Sequence, residues 1–161
     1  MKVSERTLKW ALNFYPPLLF QRIIVKKFHK NFRGVDVKIK NSIVNRNYNG
    51  SIFGGTIYAA TDPFYALLFD QILKRKGYKV RVWLKSASIQ YLKPGKKDLH
   101  FTVKITDEML ADAEQCLTEN GKFVKAYPME LYDESGLLCA TVMNEVYLRN
   151  KHFGETQKVS I

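Results

Sequence analysis

Hydrophobic residues recur at helical spacing near the start of the chain. Ser4, a residue type that caps helices, precedes four such residues: Leu8, Ala11, Leu12 and Tyr15. Two prolines then end this helix, and Pro17 suits the first turn of a second one. In that second segment three apolar residues repeat at i, i+4 and i+8: Phe20, Ile24 and Phe28. The pattern predicts two helices within residues 1–33.

After residue 33 the period changes from 3.6 to 2. Val35, Val37 and Ile39 alternate with polar residues, which predicts a half-buried antiparallel strand. Four more strands are predicted at residues 80–91, 99–105, 123–132 and 137–148, with a short helix at 107–117. The apolar parity changes near Ser86, which predicts a bulge in the second strand.

Residues 56–74 are apolar around nearly the whole circumference of a helix, so this segment must be enclosed by the rest of the chain. One antiparallel sheet of five strands can bury one face against such a helix. The order of elements predicts an α+β fold, in which a curved five-stranded sheet wraps around a long central helix. We expect one domain: an N-terminal helical extension (1–33), a core (34–150) and a tail (151–161).

Basic residues are concentrated at the start of the chain. The net charge of the 161 residues is +11, and residues 1–50 hold 11 Lys and Arg against 2 acidic residues. Such a segment can meet an anionic membrane, a phosphorylated ligand or nucleic acid, or can simply be solvated. The phenylalanine spacing there suits core packing, so we expect no nucleic-acid binding. We expect the N-terminal helices to cover the mouth of a site or to touch an anionic membrane surface.

Two cysteines, Cys116 and Cys139, show neither a disulfide framework nor metal-ligand spacing, and both lie in amphipathic stretches. We expect buried thiols and a cytoplasmic protein without a metal or cofactor. The longest apolar stretch contains Asp62, Pro63 and Asp70, which is wrong for a membrane span.

One segment carries a recognisable motif. Residues 47–55 read Asn-Tyr-Asn-Gly-Ser-Ile-Phe-Gly-Gly, and Asp62 follows seven residues after the last glycine. This resembles the phenylacetyl-CoA thioesterase group of hotdog proteins, whose usual form is Asn-x-His-Gly-Thr-x-His-Gly-Gly with an acidic residue seven positions on. The matching positions are Asn47, Gly50, Gly54, Gly55 and Asp62. Over roughly residues 30–150 the chain also resembles an uncharacterised thioesterase-like branch of hotdog proteins. The resemblance implies a hotdog fold and hydrolysis of an acyl-CoA, with coenzyme A as part of the substrate.

The residue types fit that chemistry. Gly54 and Gly55 leave the first free N–H groups of the helix open to a thioester carbonyl, or they serve only for tight packing. Asp62 can activate water or attack the acyl carbon, or it can cap a helix that restarts at Pro63. Seven residues place Gly55 and Asp62 on one helix face but about 10 Å apart, so one chain cannot bring both to one carbonyl. We therefore expect a site shared in a homodimer, or in a dimer of dimers.

Other residues complete the expected site. Asn47 and Asn49 are candidate catalytic residues, and Gly50 and Phe53 would contact substrate beside Gly54. Lys93, Lys96 and Lys97 are candidate ligands of the coenzyme A phosphates, or are merely solvated.

The motif departs from the family at two histidine positions, which hold Asn49 and Phe53. The absence of these two histidines favours an alternative function, in which the protein binds acyl-CoA or lipid without catalysis. Hotdog folds also host hydratases and dehydratases, which resemble this chain in fold but need a histidine paired with an acidic residue at the site. No histidine lies near Asp62 in the sequence, so this third function ranks low. We expect the three histidines, His29, His100 and His152, to take no part in the site.

Overall fold

The computed structural model describes residues 3–153, in which five α-helices and two short 3-10 helices, Lys30–Phe32 and Ile43–Asn45, accompany one sheet. The helices are α1 (Glu5–Phe14), α2 (Pro16–Phe20), α3 (Gly54–Thr61), α4 (Pro63–Arg75) and α5 (Asp107–Glu119). The strands are β1 (Ile23–Phe28), β2 (Gly34–Ile39), β3 (Val80–Tyr91), β4 (Leu99–Lys104), β5 (Lys122–Asp133) and β6 (Leu138–Asn150). All strand pairs are antiparallel, and the order across the sheet is β1-β2-β4-β5-β6-β3.

The sheet has six strands rather than the predicted five, because the predicted second helix ends early. Only Pro16–Phe20 is helical, and the chain then turns at Arg22, whose φ is 59°, into β1. Ile23 and Val25 are buried as in any strand, and a register shift before Lys27 returns Phe28 to the buried side. That irregularity produced the four-residue spacing, so the helical interpretation of residues 21–28 was wrong. The predicted helical extension through residue 33 therefore ends at Phe20.

The curved sheet packs its inner face against the central helix pair α3 and α4, as the hotdog resemblance implies. Edge-on aromatic contacts join helix and sheet, with Phe64 5.8 Å from Phe101 between ring centroids. Six side chains of α4 are buried: Phe64, Tyr65, Leu68, Phe69, Ile72 and Leu73. Each such side chain contributes about 1.5–3 kcal/mol relative to exposure, so this layer holds the fold together.

The central helix is interrupted between Thr61 and Pro63. Proline has no N–H for the helical ladder, which breaks the hydrogen-bond pattern at this point. Asp62, between the two segments, keeps helical backbone angles of φ −58° and ψ −55°. Its side chain makes no capping hydrogen bond to α4. Pro63 thus explains the break, and Asp62 does not serve as the cap.

Two local predictions are confirmed. The pairing of β3 with β6 shifts register between Leu84 and Ser86, where the change of apolar parity predicted a bulge. β5 and β6 form the predicted hairpin, whose turn is held by Asp133. Its carboxylate accepts hydrogen bonds from the backbone N–H groups of Ser135 (2.8 Å) and Leu137 (3.1 Å).

The two edges of the sheet differ in how their backbone polar groups are covered. At the β1 edge, the side-chain amide of Asn13 on α1 pairs with both backbone polar groups of Val25, at 2.8 and 3.1 Å. β3, at the other edge, is 12 residues long and pairs only with β6 among the described residues. Its inward-facing Val82 and Ile89 are only half-buried. An uncovered edge strand of this length is a ready pairing surface.

The cysteines are unpaired thiols, with Cys139 buried and Cys116 only half-buried, which corrects the expectation that both are buried. Within residues 3–153, no helix is long and apolar enough to cross a membrane. The predicted tail lies outside the described residues beyond residue 153.

Candidate functional site

The loop before α3 is shaped by Asn47. Its side-chain oxygen accepts hydrogen bonds from the backbone N–H of Asn49 (2.9 Å) and of Ser51 (3.1 Å). The loop is anchored to the next turn by Ile52, whose N–H donates to the carbonyl of Gly95 at 2.9 Å. Asn47 thus holds the loop in place, as Asn side chains commonly do in turns.

Helix α3 begins at Gly54, so the glycine pair forms its first turn rather than preceding it. The carbonyl of Phe53 accepts the N–H groups of Thr56 and Ile57, at 2.9 and 3.2 Å. The N–H groups of Gly54 and Gly55 have no acceptor within the described part of the chain. These two donors, at the positive end of the helix dipole, can stabilise a negatively charged oxygen.

Two aromatic rings flank the glycine pair. A Cβ on Gly55 would lie 2.4 Å from Cε1 of Phe53, so the Phe53 ring lies directly against Gly55. A Cβ on Gly54 would lie 3.1 Å from the ring of Tyr91, whose hydroxyl donates to the Gly54 carbonyl at 2.8 Å. Partial burial, and then the nearby Tyr58 hydroxyl, raise the pKa of Tyr91. A side chain at either glycine would therefore have to displace an aromatic ring.

A pocket of about 340 Å³ opens beside this helix start. Three predicted site residues line it: Asn47, Gly54 and Lys93. Its other lining residues come from the loop, from α3 and from the end of β3 with the following turn: Ser51, Ile52, Ile57, Tyr91, Leu92, Pro94 and Gly95. The lining is mixed, with apolar walls and a few polar groups, as expected for a small-molecule site.

Asp62 lies on the same helix face as Gly55 and Tyr58, outside this pocket. All three residues are exposed in the single chain. The sequence predicted that the rest of the chain encloses the central helix, and for this face that prediction is wrong. The Asp62 carboxylate accepts no hydrogen bond from residues 3–153. The protein around it removes part of its hydration and raises its pKa. A carboxylate without partners on an apolar helix is a candidate for acid–base chemistry.

The remaining predicted site residues are not brought into the pocket. Asn49 is exposed, and its backbone N–H only supports the Asn47 turn. Gly50 has a φ of 74° and open space at its Cβ position, so the turn accounts for this glycine. Lys96 and Lys97 are exposed outside the pocket. None of the three histidines lines it either, and His29 pairs with Asp36 at 3.0 Å.

Seven pocket residues were not predicted as site residues: Ser51, Ile52, Ile57, Tyr91, Leu92, Pro94 and Gly95. Ser51 sits inside the motif and could have been noticed as the partner of Asn47. Tyr91 lies 37 residues beyond Gly54, at the end of β3, and only the packing of that strand against the helix start brings the two together. No local pattern in the sequence signals that contact.

The family comparison covers most of the chain. Residues 4–148 match the domain of unknown function DUF4442. The chain belongs to the DUF4442 family. No curated protein matches the sequence. Membership of the DUF4442 family fits the resemblance to an uncharacterised thioesterase-like branch of hotdog proteins.

Solved structures share the fold at low sequence identity. PA5026 from Pseudomonas aeruginosa, of unknown function and described as a probable thioesterase, superposes with a TM-score of 0.77 at 16% identity, covering 93% of this chain and 98% of that chain. The thioesterase HI1161 from Haemophilus influenzae gives 0.67 at 11%, covering 93% of each chain. PaaI of E. coli, from the phenylacetic acid degradation operon, gives 0.62 at 12%, covering 88% and 90%. These likenesses confirm the hotdog fold for this DUF4442 member.

Proposed function

We propose that this protein is an acyl-CoA thioesterase whose site is shared between two chains. The observation that carries the proposal is the pair of free N–H groups at Gly54 and Gly55, beside a pocket of about 340 Å³. The fold is one that proteins described as thioesterases also adopt. Lys93 lines the pocket, and we propose that its ammonium pairs with a phosphate of coenzyme A.

The reaction follows from these groups. Asp62 accepts a proton as water bonds to the thioester carbon, and the Gly55 N–H stabilises the negative charge on the carbonyl oxygen. When the carbonyl re-forms, the carbon–sulfur bond breaks and the proton passes from Asp62 to the thiolate. The products are a carboxylic acid and the free thiol of coenzyme A. Only water and the thioester are consumed, so we propose no cofactor beyond the coenzyme A of the substrate.

A homodimer supplies the geometry that one chain lacks. Gly55 and Asp62 are about 10 Å apart along the helix, too far for one carbonyl. Pairing two β3 edges around a two-fold axis would place the central helices antiparallel, with Gly55 of one chain facing Asp62 of the other. The exposed Tyr58–Asp62 face and the half-buried inner side of β3 support this arrangement. The free thiols fit a cytoplasmic location.

Thiol release tests the proposal. Purified protein incubated with acyl-CoAs of different chain length should release free coenzyme A, and Asp62→Ala should abolish the release. Glu108→Ala, which removes an exposed carboxylate on α5 outside the pocket, should leave it unchanged. Release that survives Asp62→Ala would remove the proposed base.

One observation favours a second candidate function, a non-catalytic acyl-CoA or lipid-binding protein. The Phe53 ring covers Gly55 where the resembling enzymes carry histidine. In that case no acyl-CoA would be hydrolysed, while a non-hydrolysable acyl-CoA analogue would still bind. Measuring both turnover and binding separates the two functions.

A further inference from the structure

A group of aromatic side chains on α1 and α2 points away from the protein. Trp10, Phe14 and Phe20 are 50%, 68% and 72% exposed. The Trp10 and Phe14 rings stack with centroids 5.9 Å apart. With the exposed Tyr15 and Leu19 they form a surface that we call the aromatic band. Contiguous exposed apolar surface of this kind marks a site of interaction.

The band is exposed because the opposite face of α1 is already committed to the protein. Leu8 and Leu12 pack against the core, and Asn13 pairs with the edge of β1 at Val25. The Oε1 atom of Glu5 lies 3.7 Å from Nη1 of Arg75, the last residue of α4. α1 is thus fixed in orientation, and its aromatic face cannot turn inward without breaking these contacts.

A turn on the neighbouring loop extends the band. The side-chain amide of Asn45 donates to the carbonyls of Gln21 (2.8 Å) and Lys40 (2.9 Å), which holds residues 43–45 against the end of α2. On this turn Ile43 is 87% exposed, and Val44 is exposed too. The apolar surface therefore continues from α1 towards the loop that shapes the candidate site.

Basic side chains accompany the aromatic ones. Arg6, Lys9, Lys26 and Lys27 line one surface depression together with Trp10. Glu5 lines it too, and its carboxylate is held by Arg75 and by the N–H of Asn31. The Lys9 ammonium lies 5.3 Å from the centroid of the Trp10 ring. None of these four cations forms an ion pair with any residue in the range 3–153. Their charge is therefore available to an external anion.

We propose that the aromatic band docks this protein on an anionic lipid bilayer. Tryptophan and phenylalanine favour the boundary between headgroups and acyl chains, and adjacent Lys and Arg attract anionic lipids. The combination of both features on one rigid face selects a bilayer over a purely acidic or purely apolar partner. β1 and β3 are opposite edges of the sheet, so docking leaves the proposed β3 dimer edge free.

If the proposed hydrolysis is correct, docking also indicates the class of substrate, namely acyl-CoAs that partition into membranes. The Ile43–Asn45 turn leads directly into the loop held by Asn47. Acyl-CoAs with long chains partition into membranes, so a docked protein would meet them beside its pocket. The docking itself is measured without turnover, and its failure is thus separate from failure of the enzyme assignment.

Vesicle co-sedimentation tests the docking. The protein should bind vesicles of phosphatidylcholine with about a third phosphatidylglycerol at least roughly tenfold more tightly than pure phosphatidylcholine vesicles. Raising the salt from about 0.1 M to about 0.5 M should weaken the binding, because salt screens the basic residues. No binding, or equal binding to both vesicles, would overturn the proposal.

Matched variants locate the surface. Trp10→Ser/Phe14→Ser/Phe20→Ser and Lys26→Glu/Lys27→Glu should each reduce binding by roughly tenfold or more. Leu137→Ser and Lys104→Glu/Lys122→Glu make similar changes on exposed residues elsewhere and should bind as the unaltered chain does. Aromatic variants that bind vesicles normally would contradict the proposal. So would a change in oligomeric state, since the band would then be a contact between copies of the chain.

Discussion

The side-chain amide of Asn144 donates a 2.8 Å hydrogen bond to the carbonyl of Thr61, the residue before Asp62. Asn144 is fully buried on β6, and its Oδ1 has no hydrogen-bond partner among the described residues. A buried polar side chain is costly unless it is bonded, so this contact ties the break in the central helix to the sheet. The position of Asp62 thus depends on a residue far along the chain.

Replacing Asn144 with aspartate tests this contact through pH. An ionised carboxylate cannot donate to the Thr61 carbonyl, and burial would raise the pKa of the new carboxyl in the folded chain. The substitution should therefore cost little at low pH, where the neutral acid still donates. Stability should fall as pH rises above the ordinary aspartate value, by up to about 1.4 kcal/mol per pH unit, until the folded-state pKa is reached. Denaturant unfolding at several pH values measures the effect.

Asn144→Leu is the control, because it has similar volume and cannot titrate. Its loss of stability should be independent of pH. If Asn144→Asp and Asn144→Leu show the same pH dependence, the side chain at residue 144 is not buried beneath the helix break in solution.

Asp62→Asn separates the catalytic role from a structural one. The substitution keeps the shape of the side chain but removes the base, so turnover should fall by about 10²-fold or more. Partial burial raises the pKa of Asp62, so the folded chain holds this proton more tightly than the unfolded chain does. Ionisation therefore lowers stability as pH rises past the ordinary aspartate value, and Asp62→Asn should not lower the melting temperature at neutral pH.

The same pKa predicts the pH profile of the unaltered protein. Turnover should rise with pH through one deprotonation above the ordinary range of an aspartate. Rates and melting temperatures of both proteins provide the measurement. An active Asp62→Asn protein, or one with a clearly lower melting temperature, would contradict the assignment.

Phe53 and Gly55 should be energetically coupled. A methyl group at residue 55 would lie 2.4 Å from the Phe53 ring, so Gly55→Ala should cost about 1 kcal/mol of folding free energy unless the ring moves away. In a Phe53→Ala background the clash is gone, and alanine should instead stabilise the helix by at most about 1 kcal/mol. Urea unfolding of the four proteins gives the coupling. An equal effect of Gly55→Ala in both backgrounds would show that the ring does not rest on Gly55.

Much of the architecture could be predicted from the sequence, because the strands from β2 onward alternate between turns, with one change of parity at the β3 bulge. β1 could not, since the register shift near Val25 imitates a helical spacing and two prolines had already suggested a helix start. The pattern also could not show that Asp62 lies exposed. The apolar circumference of residues 56–74 indicates burial, but one chain covers only part of it.

The predictable part of the candidate site is the local motif, together with Lys93 beside the Pro94–Gly95 turn. The motif gave Asn47, Gly54 and Gly55, which lie in one loop and helix start. Tyr91 and Asn144 act from other strands, and their contacts depend on how the sheet wraps around the helix. Long-range contacts of this kind leave no periodic signal in a single sequence.

The shared site is the central claim, and complementation between two inactive chains tests it most directly. One chain carries Asp62→Asn. The other carries Gly55→Pro, which removes the proposed N–H donor in the first turn of α3, where no internal hydrogen bond is lost. The exposed Phe53 ring must move aside to admit the proline ring. Each variant alone should be a folded dimer with at most a trace of thioesterase activity. Sedimentation and melting temperature provide the control.

When the two chains are co-expressed in equal amounts, about half of the dimers contain one chain of each kind. In such a dimer the intact Gly55 of one chain faces the intact Asp62 of the other, so one of its two sites is restored. We therefore predict about a quarter of the activity of the unaltered protein for the mixed preparation, with an unchanged KM. If Gly55 and Asp62 act within one chain, both sites of every dimer stay defective. A mixed preparation as inactive as its two parents would contradict the shared site.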